Sequence, residues 1–200
     1  MTLFIIVAAV IISILAFSNK ELMSKLIFNP FKVSNNGEWY RFITSGFIHA
    51  DWMHLFINML VLYSFGTVVE EYYSEVFGDR YQLYYLLLYF GGLVISIAPS
   101  FAKHKKDFYY NALGASGAVA AVLFASVIFN PLGTVIVYFI KMPAILMAVL
   151  YIGLEYYLGK KGGDNINHDA HLWGAIFGVV FTIGLKPSLA LYFFERLTDF

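Results

Sequence analysis

The 200-residue chain is 60% hydrophobic and 19% aromatic, carries only 13% charged residues, and has no net charge. A soluble domain of this size carries about twice that charged fraction, and nothing basic points to nucleic acid as a partner. There is no cysteine, which removes thiol catalysis, disulfides and thiolate metal sites.

Six apolar stretches, at 3–17, 52–69, 81–98, 115–129, 142–158 and 170–185, are each read as a membrane span near the lower length limit. The reading is an all-α membrane protein, with Tyr and Trp gathered at the span ends as interfacial belts. The first stretch lacks a basic leader, and Ala16-Phe17-Ser18 is a poor cleavage site, so it is taken as a helix rather than a signal peptide. The long connection from Ser18 to Ile48 holds turn signals at Asn29-Pro30 and Asn35-Asn36-Gly37, together with apolar pieces. It is expected to pack at the membrane surface with short helices. No repeat or second domain is visible, so 1–200 is read as one domain.

Three polar motifs open the even-numbered spans: His54 with Asn58, Gly114-Ala115-Ser116-Gly117, and Ala170-His171 followed by Gly174 and Gly178. Ionisable groups inside membrane helices are costly and read by default as a functional site. If each stretch crosses the bilayer, even spans enter from one face, so the three motifs share it. The fourth span rises only about 22 Å as a helix, which places Ser116 below the near interface of a hydrocarbon layer about 30 Å thick. Small residues on spans four and six predict a close helix approach that brings Ser116 to His171.

These groups point to a serine hydrolase. Ser116 attacks a carbonyl while His171 takes its proton and later protonates the leaving group. His54 and Asn58, one turn apart, join the Ser116 backbone N–H as donors to the oxyanion. No acid is placed to orient His171, since Asp169 is two residues away, so a dyad is expected rather than a triad. His49 is read as structural, His104 and His168 as surface residues, and Glu155 as reaching the interface. No cofactor and no metal are expected.

With these residues in place, the chain resembles the rhomboid family of intramembrane serine proteases. The likeness runs from about Trp39 to Gly178. Arg41, His49, His54 and Asn58 match the family's loop arginine followed by His-x4-His-x3-Asn. Gly114 to Gly117 match its Gly-x-Ser-Gly, and Ala170, His171, Gly174 and Gly178 match its Ala-His-x-x-Gly-x-x-x-Gly. The resemblance implies a six-transmembrane-helix bundle with a long structured first loop and no cofactor. It implies that Ser116 and His171 are catalytic and that His54 and Asn58 stabilise the oxyanion. His49, Arg41, Gly114, Gly174 and Gly178 would support the site. Its partners would be the lipid bilayer and transmembrane protein substrates, cleaved in or beside their spans. Span five would correspond to the family's mobile gating helix. Two departures stand out: Tyr40 precedes Arg41 where many members have Trp, and Ala120 replaces an aromatic that stacks on the catalytic histidine. Trp173 or an aromatic from span five is then expected to orient His171.

Loop charges favour a cytoplasmic active site, whereas the resemblance implies an external one with cytoplasmic termini; the resemblance is followed here, because a long structured loop weakens charge counting. The competing readings are a catalytically inactive relative that binds membrane clients and a metal transporter using His49, His54 and His171. The second lacks acidic ligands along a pathway.

Overall fold

The computed structural model describes residues 1–137, 139–163 and 166–198. Helix α1 covers Thr2–Ser18, and the connection after it carries α2 (Lys20–Leu26), α3 (Pro30–Asn36) and α4 (Arg41–Thr44). Next come α5 (Trp52–Phe77), α6 (Tyr81–His104) and α7 (Ser116–Phe129). A hairpin of β1 (Thr134–Val137) and β2 (Ile140–Pro143) precedes α8 (Ala144–Lys161), α9 (His168–Leu185) and α10 (Ser188–Thr198).

Local chemistry sets the helix starts. Asn19, Asn29, Asp51 and Asn167 each accept a backbone N–H of the first turn of α2, α3, α5 and α9, the usual role of an N-cap side chain. Pro30 occupies the first turn of α3, where its missing N–H costs nothing, and Gly37 ends that helix at φ 71°. The hairpin, which no sequence signal indicated, pairs Thr134 with Pro143 and Val137 with Ile140. Beside it, the carbonyls of Gly133 and Pro131 accept the Ala144 and Ile145 N–H groups at 2.8 Å. The turn after α7 thus caps α8 with backbone instead of side chain.

The expected bundle of six membrane spans is not borne out. Among the described residues one helical stretch, Trp52–His104, is long and apolar enough to cross a membrane; a second is reached only by joining α9 and α10, which bend by 111°. Helices α1 and α7 are apolar but have 17 and 14 residues, against the roughly 20 that a 30 Å layer requires. Helix α8 has 18 residues but includes Glu155, Lys160 and Lys161. The expectation of a multi-pass protein with cytoplasmic termini and an external active site falls with it. So do the parity and depth arguments, which assumed six crossings.

Helix packing brings the motifs together. Helix α7 lies at the centre, with every residue from 117 to 129 buried. One core joins α1, α5, α6 and α7 through Ile5, Leu62, Val69, Tyr85, Leu88 and Val122. Tyr73 and Tyr85 bury their rings there and pair their hydroxyls with Thr182 and Thr2 at 2.8 and 2.7 Å, which removes the cost of burying them unbonded. A second cluster seats Ala144, Met147 and Ala148 of α8 against Leu123, Phe124 and Ala175. The outer faces of α1, α5 and α8 leave large apolar side chains exposed, including Phe4, Phe56 and Leu150.

Candidate active site

Ser116 is the first residue of α7, and its helix has no side-chain cap. Its hydroxyl is therefore not a cap, and the first N–H groups of the helix have no acceptor within it. One residue on, α7 meets α9 with almost no space between backbones. A Cβ added to Gly174 would lie 2.1 Å from the Gly117 carbonyl oxygen, and one added to Gly178 would lie 2.1 Å from that of Ala121. The small-residue stripe thus performs the predicted approach and sets the N-terminal turns of α7 and α9 side by side. Asn167 fixes the second of these turns: it caps α9 and its amide donates to Ser100 Oγ at 2.9 Å.

From the other side, His54 of α5 packs on the glycine loop. Gly114 adopts φ 112°, and a Cβ there would lie 2.7 and 2.8 Å from the His54 Cε1 and Nε2 atoms. Both the backbone angle and the space require glycine. His54 Nδ1 accepts the Ala50 N–H at 3.4 Å, which leaves the proton on Nε2, the nitrogen facing Gly114. Asn58 is buried and donates one amide hydrogen to the His54 carbonyl at 2.8 Å. A small cavity of about 30 Å³, the space of one water, lies beside Ser116 and is lined also by Ser45, Ser96, Gly114 and Asn167.

His49 is fully buried, 5.0 Å from the His54 ring centroid. Ser13 Oγ gives its only proton to the Phe47 carbonyl, so His49 Nδ1 donates to Ser13 Oγ at 3.0 Å. Desolvation, with the neighbouring His54, pushes the His49 pKa down to about 3. Its folded value lies below the ordinary value near 6.5, so the neutral ring contributes stability above about pH 6.5 that is lost as pH falls toward 3. Thermal unfolding in detergent is expected to show a melting midpoint that declines below pH 6.5, and His49→Asn, which keeps a donor for Ser13, should flatten that decline.

Arg41 holds the first loop together rather than entering the site. Buried, it donates to the carbonyls of Ser24 and Ile27 at 2.9 and 2.6 Å and pairs with Glu38. Arg41→Ala is expected to cost about 2–4 kcal/mol, because three acceptors lose their donor. Thermal melting and faster proteolysis within 20–44 would register it. Arg41→Lys should recover only part, since an ammonium cannot reproduce the planar fork.

Two features differ from the sequence expectation, and a third falls to the second of its two alternatives. Glu155 does not reach an interface: it is 9% exposed, with Oε2 at 2.6 Å from His168 Nδ1 and Oε1 at 3.0 Å from His171 Nδ1. His168 is buried rather than a surface residue. Trp173 is exposed, and the aromatic nearest His171 from α8 is Tyr151, at 6.4 Å between centroids and 34° between planes. A signal for Glu155 was present, because 144, 148, 151 and 155 repeat on one helical face whose other members are Ala, Ala and Tyr. The His171 contact is close but not aligned, so its Nδ1 has no hydrogen-bond partner, and among the described residues no hydrogen bond joins Ser116 to His171.

These features define a helical protein in which a serine at a helix start, two histidines and an acid gather around glycine-tight packing. A model of the rhomboid domain matches residues 36–188, and the chain belongs to the rhomboid family, a lineage of intramembrane proteases. It is 31% identical over 173 residues to RHOMBOID-like protein 12, mitochondrial, of Arabidopsis thaliana, covering 78% of this chain and 50% of that one. It is 34% identical over 156 residues to Rhomboid-like protein 11, chloroplastic, of the same plant, covering 71% and 51%. To Rhomboid protease GluP of Bacillus subtilis it is 30% identical over 152 residues, covering 76% and 27%. The chain thus spans about half the length of the first two and about a quarter of the third.

Proposed function

We propose that this chain is a serine endopeptidase that cleaves membrane-protein substrates, with Ser116 as nucleophile and His171 as base. The observation that carries the reading is the contact of Gly117 with Gly174, which places the serine and the histidine at adjoining helix starts. Glu155 supplies the orienting group that the sequence reading lacked. Facing Nδ1, its carboxylate favours a proton on that nitrogen and leaves the Nε2 lone pair for the Ser116 hydroxyl. A small rotation of the imidazole aligns the 3.0 Å contact.

In this reading Ser116 Oγ adds to the substrate carbonyl as its proton passes to His171 Nε2. The oxyanion takes donors from the first-turn N–H groups of α7 and from His54 Nε2–H, which already faces Gly114. The remaining amide hydrogen of Asn58 is a further donor. His171 then protonates the leaving amine, and water releases the acyl group. The exposed apolar faces of α1, α5 and α8 are the surfaces for lipid and for the apolar segments of substrates.

A catalytically inactive client-binding relative is the second reading, favoured by the absent Ser116–His171 hydrogen bond. A fluorophosphonate probe separates the two. Labelling of the wild type that disappears in Ser116→Ala supports the protease. An unlabelled wild type that still captures a membrane protein supports the inactive relative.

A further inference from the structure

Glu155, His168 and His171 form a cluster larger than the orientation of a base requires. Their ligand atoms all lie within 4.8 Å of one another. The three side chains come from two elements packed together: Glu155 from the buried face of α8, and the histidines from one face of α9, three residues apart. His171 Nδ1 is buried without a hydrogen-bond partner and is aimed into this cluster. In a tetrahedral zinc site with bonds near 2.0–2.2 Å, neighbouring donors stand about 3.4 Å apart. The contacts of 2.6 and 3.0 Å and the outer limit of 4.8 Å bracket that spacing, so side-chain rotations of an ångström or so would admit an ion. His171 keeps 16% of its side chain exposed, which gives an entry route and room for a water as fourth ligand.

We propose that Glu155, His168 and His171 bind a borderline divalent transition metal, Zn2+ being the type, and that occupancy switches the catalytic site off. Two imidazoles and one carboxylate suit such an ion and not Mg2+ or Ca2+, which take oxygen ligands. The inhibition follows from the tautomer. Metal at His171 Nδ1 displaces the proton there, and the neutral ring carries its proton on Nε2, the nitrogen that must accept from Ser116. The carboxylate that orients the base in the free site becomes a ligand in the loaded one. The binding half stands alone; the inhibitory half rests on His171 being the base.

The experiment uses the untagged full chain in detergent micelles. Isothermal titration with Zn2+ is expected to give one ion per chain. Affinity should fall at least tenfold in Glu155→Gln and in His168→Ala and stay unchanged in the exposed-neighbour control Asp169→Asn, with no binding of Mg2+. Because either site variant can fail to fold, the wild type loaded with Co2+ is also read by absorption. An intense tetrahedral spectrum supports the site, and a weak octahedral one overturns it, as does Zn2+ binding that neither variant weakens. In parallel, fluorophosphonate labelling should fall as Zn2+ occupancy rises and return with EDTA. Labelling that persists at saturation overturns the inhibitory half. Stoichiometric binding with no labelling even in EDTA leaves the metal site standing and overturns the protease reading instead.

Discussion

Ser116→Ala and His171→Ala are each expected to lower kcat on a transmembrane-peptide reporter by about 10⁴-fold or more, and the double variant by little more than either. In the proposed mechanism nucleophile and base act as one unit: without His171 the Ser116 hydroxyl would keep its proton, and without Ser116 the base would have nothing to activate. Glu155→Gln is expected to cost up to about 10⁴-fold, the effect of amidating the acid of a catalytic triad. The Gln amide can donate to His171 Nδ1, which moves the ring proton to Nε2 and blocks it as acceptor. Substrate affinity should change little in all three, because each removes an interaction made during reaction. Turnover of Ser116→Ala within tenfold of the wild type would remove the nucleophile assignment. Wild-type turnover in Glu155→Gln would return the site to a plain dyad.

Gly174→Ala and Gly178→Ala are expected to carry the largest structural cost, about 3–5 kcal/mol each. At both positions the new Cβ would stand 2.1 Å from a backbone oxygen of α7. A side-chain neighbour could rotate away, but a carbonyl within a buried helix cannot, so α9 must move off α7. That motion also separates Ser116 from His171, so activity should fall before the protein unfolds at assay temperature. Gly184→Ala is the matched control, because nothing lies within 4 Å of its added Cβ; relief of glycine's helix penalty should make it neutral or stabilising by about 0.5–1 kcal/mol. Melting midpoints in detergent measure all three. A Gly174→Ala midpoint equal to that of Gly184→Ala would contradict the packing.

The chain could be read most reliably where local chemistry leaves few options. Apolar runs and polar breaks located the helices that became α1 and α5 to α9, since burying such runs is favourable in any arrangement. The glycine and small-residue spacings signalled the α7–α9 contact, because only residues without bulk allow backbones to touch. The three motifs marked Ser116, His171, His54 and Asn58 as one candidate group; the structure packs His54 against Gly114 and Gly174 against Gly117, with no hydrogen bond between Ser116 and His171 among the described residues. The count of six spans does not hold, because apolarity shows that a stretch is buried in something but not whether lipid or protein covers it. Helix α7 illustrates this: its apolar residues are enclosed by the chain itself, and its 14 residues fall short of the roughly 20 that a 30 Å layer requires.

Glu155 shows the other boundary. Tyr156, Tyr157, Lys160 and Lys161 follow it and describe a helix end near water, while its face-mates Ala144, Ala148 and Tyr151 describe a buried stripe. Its burial between His168 and His171 depends on how α8, steered by the hairpin and the backbone caps at Gly133 and Pro131, lies against α9. Composition and spacing therefore determined the helices, the Gly-x-Ser-Gly motif and the tight seam, all of which depend on residues close in sequence or on the size of a single side chain. The pairing of an acid with two histidines 13 and 16 positions away needed the packed structure. Nothing in a one-dimensional pattern encodes the relative rotation of two helices, and that rotation decides whether a carboxylate meets water, an imidazole or a metal ion.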